Sequence, residues 1–203
     1  MTDEQLVARY LENADEGAFR TLVERHQERV FGYLMGMVRE RNTANDLFQE
    51  TYLRVVRALS NDRGSYTRQG KWLHWVMRIA RNAALDHLRS RKKFSDIDGM
   101  VDDDGESFFD RLPDGELSSD ELIHLAEQRE WLEECIDQLP DEQREVLLLR
   151  HESELTFREI AELTDCSINT ALGRMRYALL NLRRMMQASD RSNLAGYDVG
   201  GIA

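Results

Sequence analysis

The sequence predicts an all-α fold: two small helical domains joined by an acidic flexible linker, the second domain containing a helix-turn-helix. Three observations carry this. Only two prolines interrupt 203 residues, and apolar side chains recur at three- and four-residue steps rather than in alternation. Charge is segregated: the chain totals −11, yet residues 94–121 hold eleven acids against Arg111 alone. With so few apolar side chains, that stretch cannot bury enough surface to order itself. It reads as a linker between domains at 1–93 and 122–187, and the small, polar 188–203 reads as a disordered tail.

Several classes fall away on the same totals. No apolar run approaches the roughly 18 residues of a membrane helix, and the start, MTDEQLVARY, is acidic rather than leader-like. A cytoplasmic protein without membrane insertion is expected. Cys135 and Cys166 lack CxxC or HxxxH company, so neither a disulfide framework nor a zinc site is indicated. No nucleophile–base pair, metal cluster or phosphate loop supports an enzyme, and no cofactor is expected.

Taken in order, Thr2 and Gln5 form a capping box for a short helix to about Glu12. A second helix, about Asp15 to Arg39, carries Phe19, Leu22, Val23, His26, Val30, Leu34 and Met37 on one face. Asn42 or Thr43 is placed to cap a third, about Ala44 to Leu59, with Leu47, Phe48, Thr51, Tyr52, Val55 and Leu59 inward. A polar loop, Ser60 to Gly70, precedes the most informative stretch, Lys71 to Lys93. Its seven cations oppose only Asp86, and Trp72, His74 and Trp75 stand at its start. Rings for stacking and cations for phosphate on one element suit single-stranded nucleic acid. Beyond the linker, a helix bearing Leu122, Leu125, Ala126, Trp131, Leu132 and Ile136 stops at Leu139-Pro140. Asp141 is placed to cap the next. Thr156 caps FREIAEL, Thr164-Asp165-Cys166 turns the chain, and Ser167 caps a helix from Ile168 to about Gln187 that contains no acid. Two helices joined by so short a turn form a helix-turn-helix, with Asp165 where φ > 0 is commonly required.

In this order and spacing, the pieces resemble a bacterial sigma factor of the extracytoplasmic-function class, the smallest members of the housekeeping-sigma family. Ala44 to Leu53, ANDLFQETYL, resembles the helix that docks on the β′ clamp helices of RNA polymerase. Trp75 to Asn82, continuing to Asp86 and Arg89, resembles the segment that melts and reads the −10 element. Leu139-Pro140 through Leu147 resembles the start of the fourth region, and the helix-turn-helix resembles its −35 reader. The resemblance covers roughly residues 5–93 and 122–186.

It implies a promoter-specificity subunit that binds core polymerase (β′ clamp helices and β flap) and promoter DNA, with an anti-sigma factor as a possible further partner. Polymerase docking would fall to Asp46, Leu47, Gln49, Glu50 and Leu53. Contact with the −10 element would fall to Trp72, Trp75, Arg78, Arg81, Asn82, Asp86 and Arg89, with Ser60 to Gly70 forming a pocket for a flipped base. Asp86 either serves that base or pairs with Arg89 at i+3, and both roles stay open. Contact with the −35 element would fall to Ser167, Asn169, Thr170, Arg174, Arg176, Arg183 and Arg184. Arg174 is the candidate for a guanine edge and the other arginines for phosphate. Two departures stand out. Leu172 and Leu179 occupy positions where relatives often carry cations, and Glu154 replaces a commonly seen glycine. The acidic linker would span roughly 30 Å as a coil. Besides tethering the domains, it is expected to mimic nucleic acid. The alternatives are a stand-alone helix-turn-helix regulator, which leaves the third and fourth helices unexplained, and a sigma-like decoy that binds an anti-sigma factor.

Overall fold

The computed structural model describes residues 1–60, 66, 71–95, 128 and 130–196, whose regular elements are all helices, with no strand among them. Linker residues 96–121, most of the Ser60–Gly70 loop, and Leu122, Leu125 and Ala126 lie outside those residues. Helix α1 (Asp3–Asn13) starts on the expected box: Thr2 Oγ accepts from the Gln5 amide at 3.3 Å, and Gln5 Oε1 accepts from the Thr2 amide at 2.9 Å. Asp15 caps α2 (Glu16–Val38) by accepting from the Ala18 amide. Along its first half α2 buries Leu22, His26 and Val30, with Phe19 and Val23 half-buried, as an amphipathic stripe should. From Tyr33 to Val38 every residue is buried, because a helix of the C-terminal half packs on the side a lone amphipathic helix leaves to water.

Helix α3 (Arg41–Ser60) begins three residues earlier than expected, so Asn42 and Thr43 are not its caps. Arg39 ends α2 in the left-handed region at φ 64°, which turns the chain immediately into α3. The Ala44 amide then bonds back to the Glu40 carbonyl, while Thr43 Oγ donates to the Glu40 carboxylate from inside the first turn. The inward stripe of α3 is as predicted, with Phe48 half-buried. Helix α4 (Trp72–Ser95) runs two residues past the expected end at Lys93.

The C-terminal half comprises α5 (130–137), α6 (Asp141–His151), α7 (Phe157–Leu163) and α8 (Ile168–Gly196). Asp141 is not the cap of α6: Pro140 holds that position without a side-chain bond, and Asp141 and Glu142 supply negative charge in the first turn instead. Thr156 and Glu159 form a complete capping box on α7. Ser167 Oγ accepts from the Thr170 amide and opens α8. Asp165 sits at φ 52° in the turn, as expected. Glu154 sits at φ 53°, a left-handed backbone that glycine adopts without strain. Helix α8 continues nine residues past Gln187, into the stretch expected to be disordered. Ala188 to Leu194 includes no proline or glycine, and adding a turn to an existing helix requires no new nucleation.

The two halves are not separate beads. One apolar core joins Leu22, Leu34, Val55, Val76 and Ala80 to Leu149, Ile160 and Leu163. A smaller cluster, Cys135, Ile136, Leu139, Leu147, Ala178 and Leu182, holds α5, α6 and α8 together. Gly32 lies on the seam, where the Glu152 carboxylate occupies the space a Cβ would need.

Candidate nucleic-acid interface

The outer face of α3 is built by default. Burying Leu47, Thr51, Tyr52, Val55 and Leu59 turns Asp46, Gln49, Glu50, Leu53 and Arg57 to solvent. Leu53 is 56% exposed among these polar groups. Leu47 is 6% exposed and supports the patch from beneath rather than presenting a surface. Glu50 is bound at one oxygen by Arg54, one helical turn on.

On α4 the sequence-predicted residues separate. Arg78, Asn82, Asp86 and Arg89 are exposed along one side. Asp86 and Arg89 lie 3.6 Å apart as an open i,i+3 pair, a contact of little energetic weight. Trp72 points the other way and is 1% exposed. Its ring packs edge-on against Tyr66 at 5.5 Å and obliquely against Trp75 at 5.5 Å, so a base cannot stack on it in this arrangement. Trp75, half-buried and 5.1 Å from Tyr66, keeps part of its surface free. Burial, then the charges of Glu4 and Asp3, push the Tyr66 phenol up to about 12.

Arg81 is committed elsewhere. Its guanidinium grips Glu145 of α6 through Nε at 2.8 Å and Nη2 at 3.2 Å, in a contact where Glu145 is 6% exposed. Tyr33 is fully buried beside this pair, and burial followed by the Glu145 charge pushes its phenol well above the usual range. Sequence reasoning placed Arg81 on DNA and did not foresee Glu145, because the partners are 64 residues apart. A glutamate directly preceding the VLLL run, one turn before the buried Leu149, was the signal available. Around the pair, Arg29 meets Glu154, Lys71 meets Glu162 at 3.1 Å, and Ser153 Oγ donates to Met77 Sδ at 3.5 Å.

Helix α8 stands on α6 and α7 through Ala171, Met175, Ala178 and Leu182. Its opposite face presents Asn169, Thr170, Arg176, Tyr177, Leu180 and Arg184, and Ser167 and Arg183 are exposed as well. Arg174 lies on the flank toward α6, half-buried and 3.9 Å from Glu142. Asn181, also on that flank, donates to Gln143 at 2.9 Å. Tyr177, 60% exposed beside Gly173, is a surface residue that sequence reasoning passed over. Its place on the helix opposite Ala171 and Ala178 was the clue. Among the described residues no cluster of His, Cys, Asp and Glu is arranged to hold a metal ion, and no helix is long and apolar enough to cross a membrane.

A capped helix-turn-helix with an acid-free second helix, together with a basic, aromatic-headed helix, gives the fold two features characteristic of nucleic-acid-binding proteins. Comparison with known proteins gives the family. Residues 22–94 match the Sigma-70 region 2 model, and residues 129–181 match the Sigma-70 region 4 model. The RNA polymerase sigma-H factor of Pseudomonas aeruginosa is 30% identical over 174 residues, covering 85% of this chain and 88% of that protein. The ECF RNA polymerase sigma-E factor of Escherichia coli K12 is 31% identical over 179 residues, covering 86% and 89%. A solved complex of the sigma factor RpoE with the anti-sigma factor NepR from Bartonella quintana shares the fold. Its TM-score is 0.62 at 19% identity, over 83% of this chain and 96% of that one. The chain belongs to the extracytoplasmic-function sigma factors, and it is a promoter-specificity subunit of bacterial RNA polymerase that binds the core enzyme and promoter DNA.

Proposed function

We propose that the work is divided among three surfaces. The outer face of α3, with Asp46, Gln49, Glu50 and Leu53, docks on the β′ clamp helices. The open side of α4, with Arg78, Asn82, Asp86 and Arg89 and the free part of Trp75, meets the −10 element. The outward face of α8, with Ser167, Asn169, Thr170, Arg176, Arg183 and Arg184, meets the −35 element, and Arg174 reads from its flank. Residues 1–93 and 122–187 are the two working domains and 94–121 their tether. The chain acts in the cytoplasm, is not an enzyme, shares descent with the housekeeping sigma factors, and takes an anti-sigma factor as a further partner.

The observation that carries this reading is the face of α8: between Ser167 and Gln187 it has no carboxylate in a chain of net −11. Phosphate neutralisation dominates DNA affinity, and acids on that face would oppose it. The two elements lie about two helical turns apart, roughly 70 Å of duplex. With α6 against α2 and α7 against α4, the halves therefore part on a promoter, and Arg81 exchanges Glu145 for phosphate. Reconstitution with core polymerase and a library of promoter fragments tests the reading. Initiation confined to fragments with both elements is expected. Binding of a −35-like site without core polymerase would favour a stand-alone regulator, and absence of initiation would favour a decoy.

A further inference from the structure

Helix α8 exposes more apolar surface than phosphate tracking requires. Ile168, Leu172, Tyr177 and Leu179 are 42, 44, 60 and 52% exposed. Gly173 separates Leu172, its chain neighbour, from Tyr177, one turn further on, within the first three turns, where a helix-turn-helix places its base-reading side chains. At Gly173 no heavy atom lies within 4 Å of where a Cβ would stand, so the helix backbone there is open to close approach. A shallow apolar hollow of about 400 Å³ continues the patch past Phe157 and Leu180, with Arg176 and Arg183 at its rim. Arg184 lies exposed further along, and no carboxylate occurs from Ser167 to Gln187. The occupant must therefore be anionic and must offer small apolar groups to side chains set around an open glycine. Duplex DNA fits. In the major groove, the apolar group that distinguishes one base pair from another is the 5-methyl of thymine.

We infer that Leu172 and Tyr177 are specificity-determining residues that read thymine methyl groups in the −35 element. This deepens the proposed role of α8 and rests on it. Because the recognised group is a methyl, the preference is for thymine over uracil, whose hydrogen-bonding groups are the same. Each side chain is solvent-exposed, so its truncation leaves the core of the half intact.

The experiment uses holoenzyme reconstituted from the full chain and core polymerase, on a promoter fragment whose preferred −35 element is first found by selection. Each thymine of that element is replaced singly by deoxyuridine, which removes the methyl and nothing else. Loss of about fourfold in affinity is expected at one or two positions, the equivalent of one buried carbon. Leu172→Ala or Tyr177→Ala should bind thymine and deoxyuridine alike at its own position, with unchanged dependence on salt. Indifference of the native chain to every replacement, a selected element without thymine, or variants that keep the full methyl effect would each overturn the inference. Leu172→Ala losing a protein partner while its DNA profile stays native would overturn it too, in favour of an acidic amphipathic helix as the occupant. Arg184→Ala is the control, expected to weaken all sequences alike. A holoenzyme with no −35 dependence at all would overturn the proposed role of α8 itself, and this inference with it.

Discussion

The centre of the N-terminal half and its seam with the C-terminal half are built by different rules. Within the first half, contacts are mainly apolar and aromatic, with the His26–Asp3 pair as the polar exception: Leu22, Val30, Leu34, Val55 and Val76 are fully buried, and Phe19, Phe48 and Tyr52 form a chain of rings. At the seam, Leu149, Ile160 and Leu163 join that core, but Arg81–Glu145, Arg29–Glu154 and Lys71–Glu162 surround them. Interfaces between domains are commonly more polar than domain interiors. A half that has to leave its neighbour must present a surface that water tolerates, and charged pairs provide one. The seam therefore specifies a closed arrangement without making it permanent.

The largest expected effect comes from breaking that seam at its buried pair. Glu145→Ala leaves the Arg81 guanidinium, with a side chain only 18% exposed, without its partner. Removing one member of a buried pair typically costs about 3–5 kcal/mol, read as a lower midpoint in chemical denaturation. Arg81→Met combined with Glu145→Leu should recover most of that loss. If Glu145→Ala unfolds like the native chain, the seam opens freely and the contrast with the core is wrong. Next in size is the division of roles on α8. Arg174→Ala should cost about 1–3 kcal/mol and relax preference at one base pair of the −35 element. Arg184→Ala should instead lower the slope of log affinity against log salt by about one. Identical sequence profiles for the two variants would erase the distinction between flank and face.

The difference between core and seam also explains what was legible in the sequence. Caps at Thr2, Thr156 and Ser167 and the stripe of α3 are local, so spacing alone located them. The left-handed turn at Asp165 is equally local. The uninterrupted burial of Tyr33 to Val38 and the pairing of Arg81 with Glu145 arise from contacts between distant segments. Periodicity on one helix reports one buried face, and these residues serve a second. The same limit affected the candidate site. The outward residues of α3 could be read as the complement of its stripe, but Leu47 belongs to the stripe itself. Arg174 looked like the best base reader by residue type, whereas its position toward Glu142 depends on how α6 crosses α8.

A smaller effect is expected on the open face of α3. Asp46→Lys with Glu50→Lys should weaken binding to core polymerase by on the order of tenfold, mostly by slowing association, because rim charges act chiefly through steering. Helicity and the denaturation midpoint should stay native, since neither residue contributes to the core. Unchanged affinity in a titration against labelled core enzyme would remove α3 from the docking surface.

The smallest effect is a pH dependence that separates the two regions again. Each holds one buried histidine. His26, in the first half, shares a 2.8 Å contact between Nε2 and Asp3 Oδ2, with Arg25 and Arg29 nearby. Burial lowers its pKa below 6.5, and the attraction of Asp3 offsets this only in part. It is therefore neutral in the fold near pH 7, with Nε2–H donating to Asp3. His74, at the seam, faces Arg78, Glu162, Lys71 and Glu159. Its pKa is lowered first by burial and then by Arg78. For both, the unfolded chain takes up a proton more readily than the fold. Stability is complete above pH 6.5 and falls as pH drops from there toward the depressed folded value, by at most about 1.4 kcal/mol per pH unit for each histidine. His26→Gln should flatten that fall in global unfolding, because it removes the titration from the core of the first half. His74→Gln should act instead on the closed arrangement, seen as a smaller acid-induced increase in the radius of gyration by X-ray scattering. Should His74→Gln change global unfolding as much as His26→Gln does, seam and core are one cooperative unit, and the charged pairs between the halves do not set a boundary.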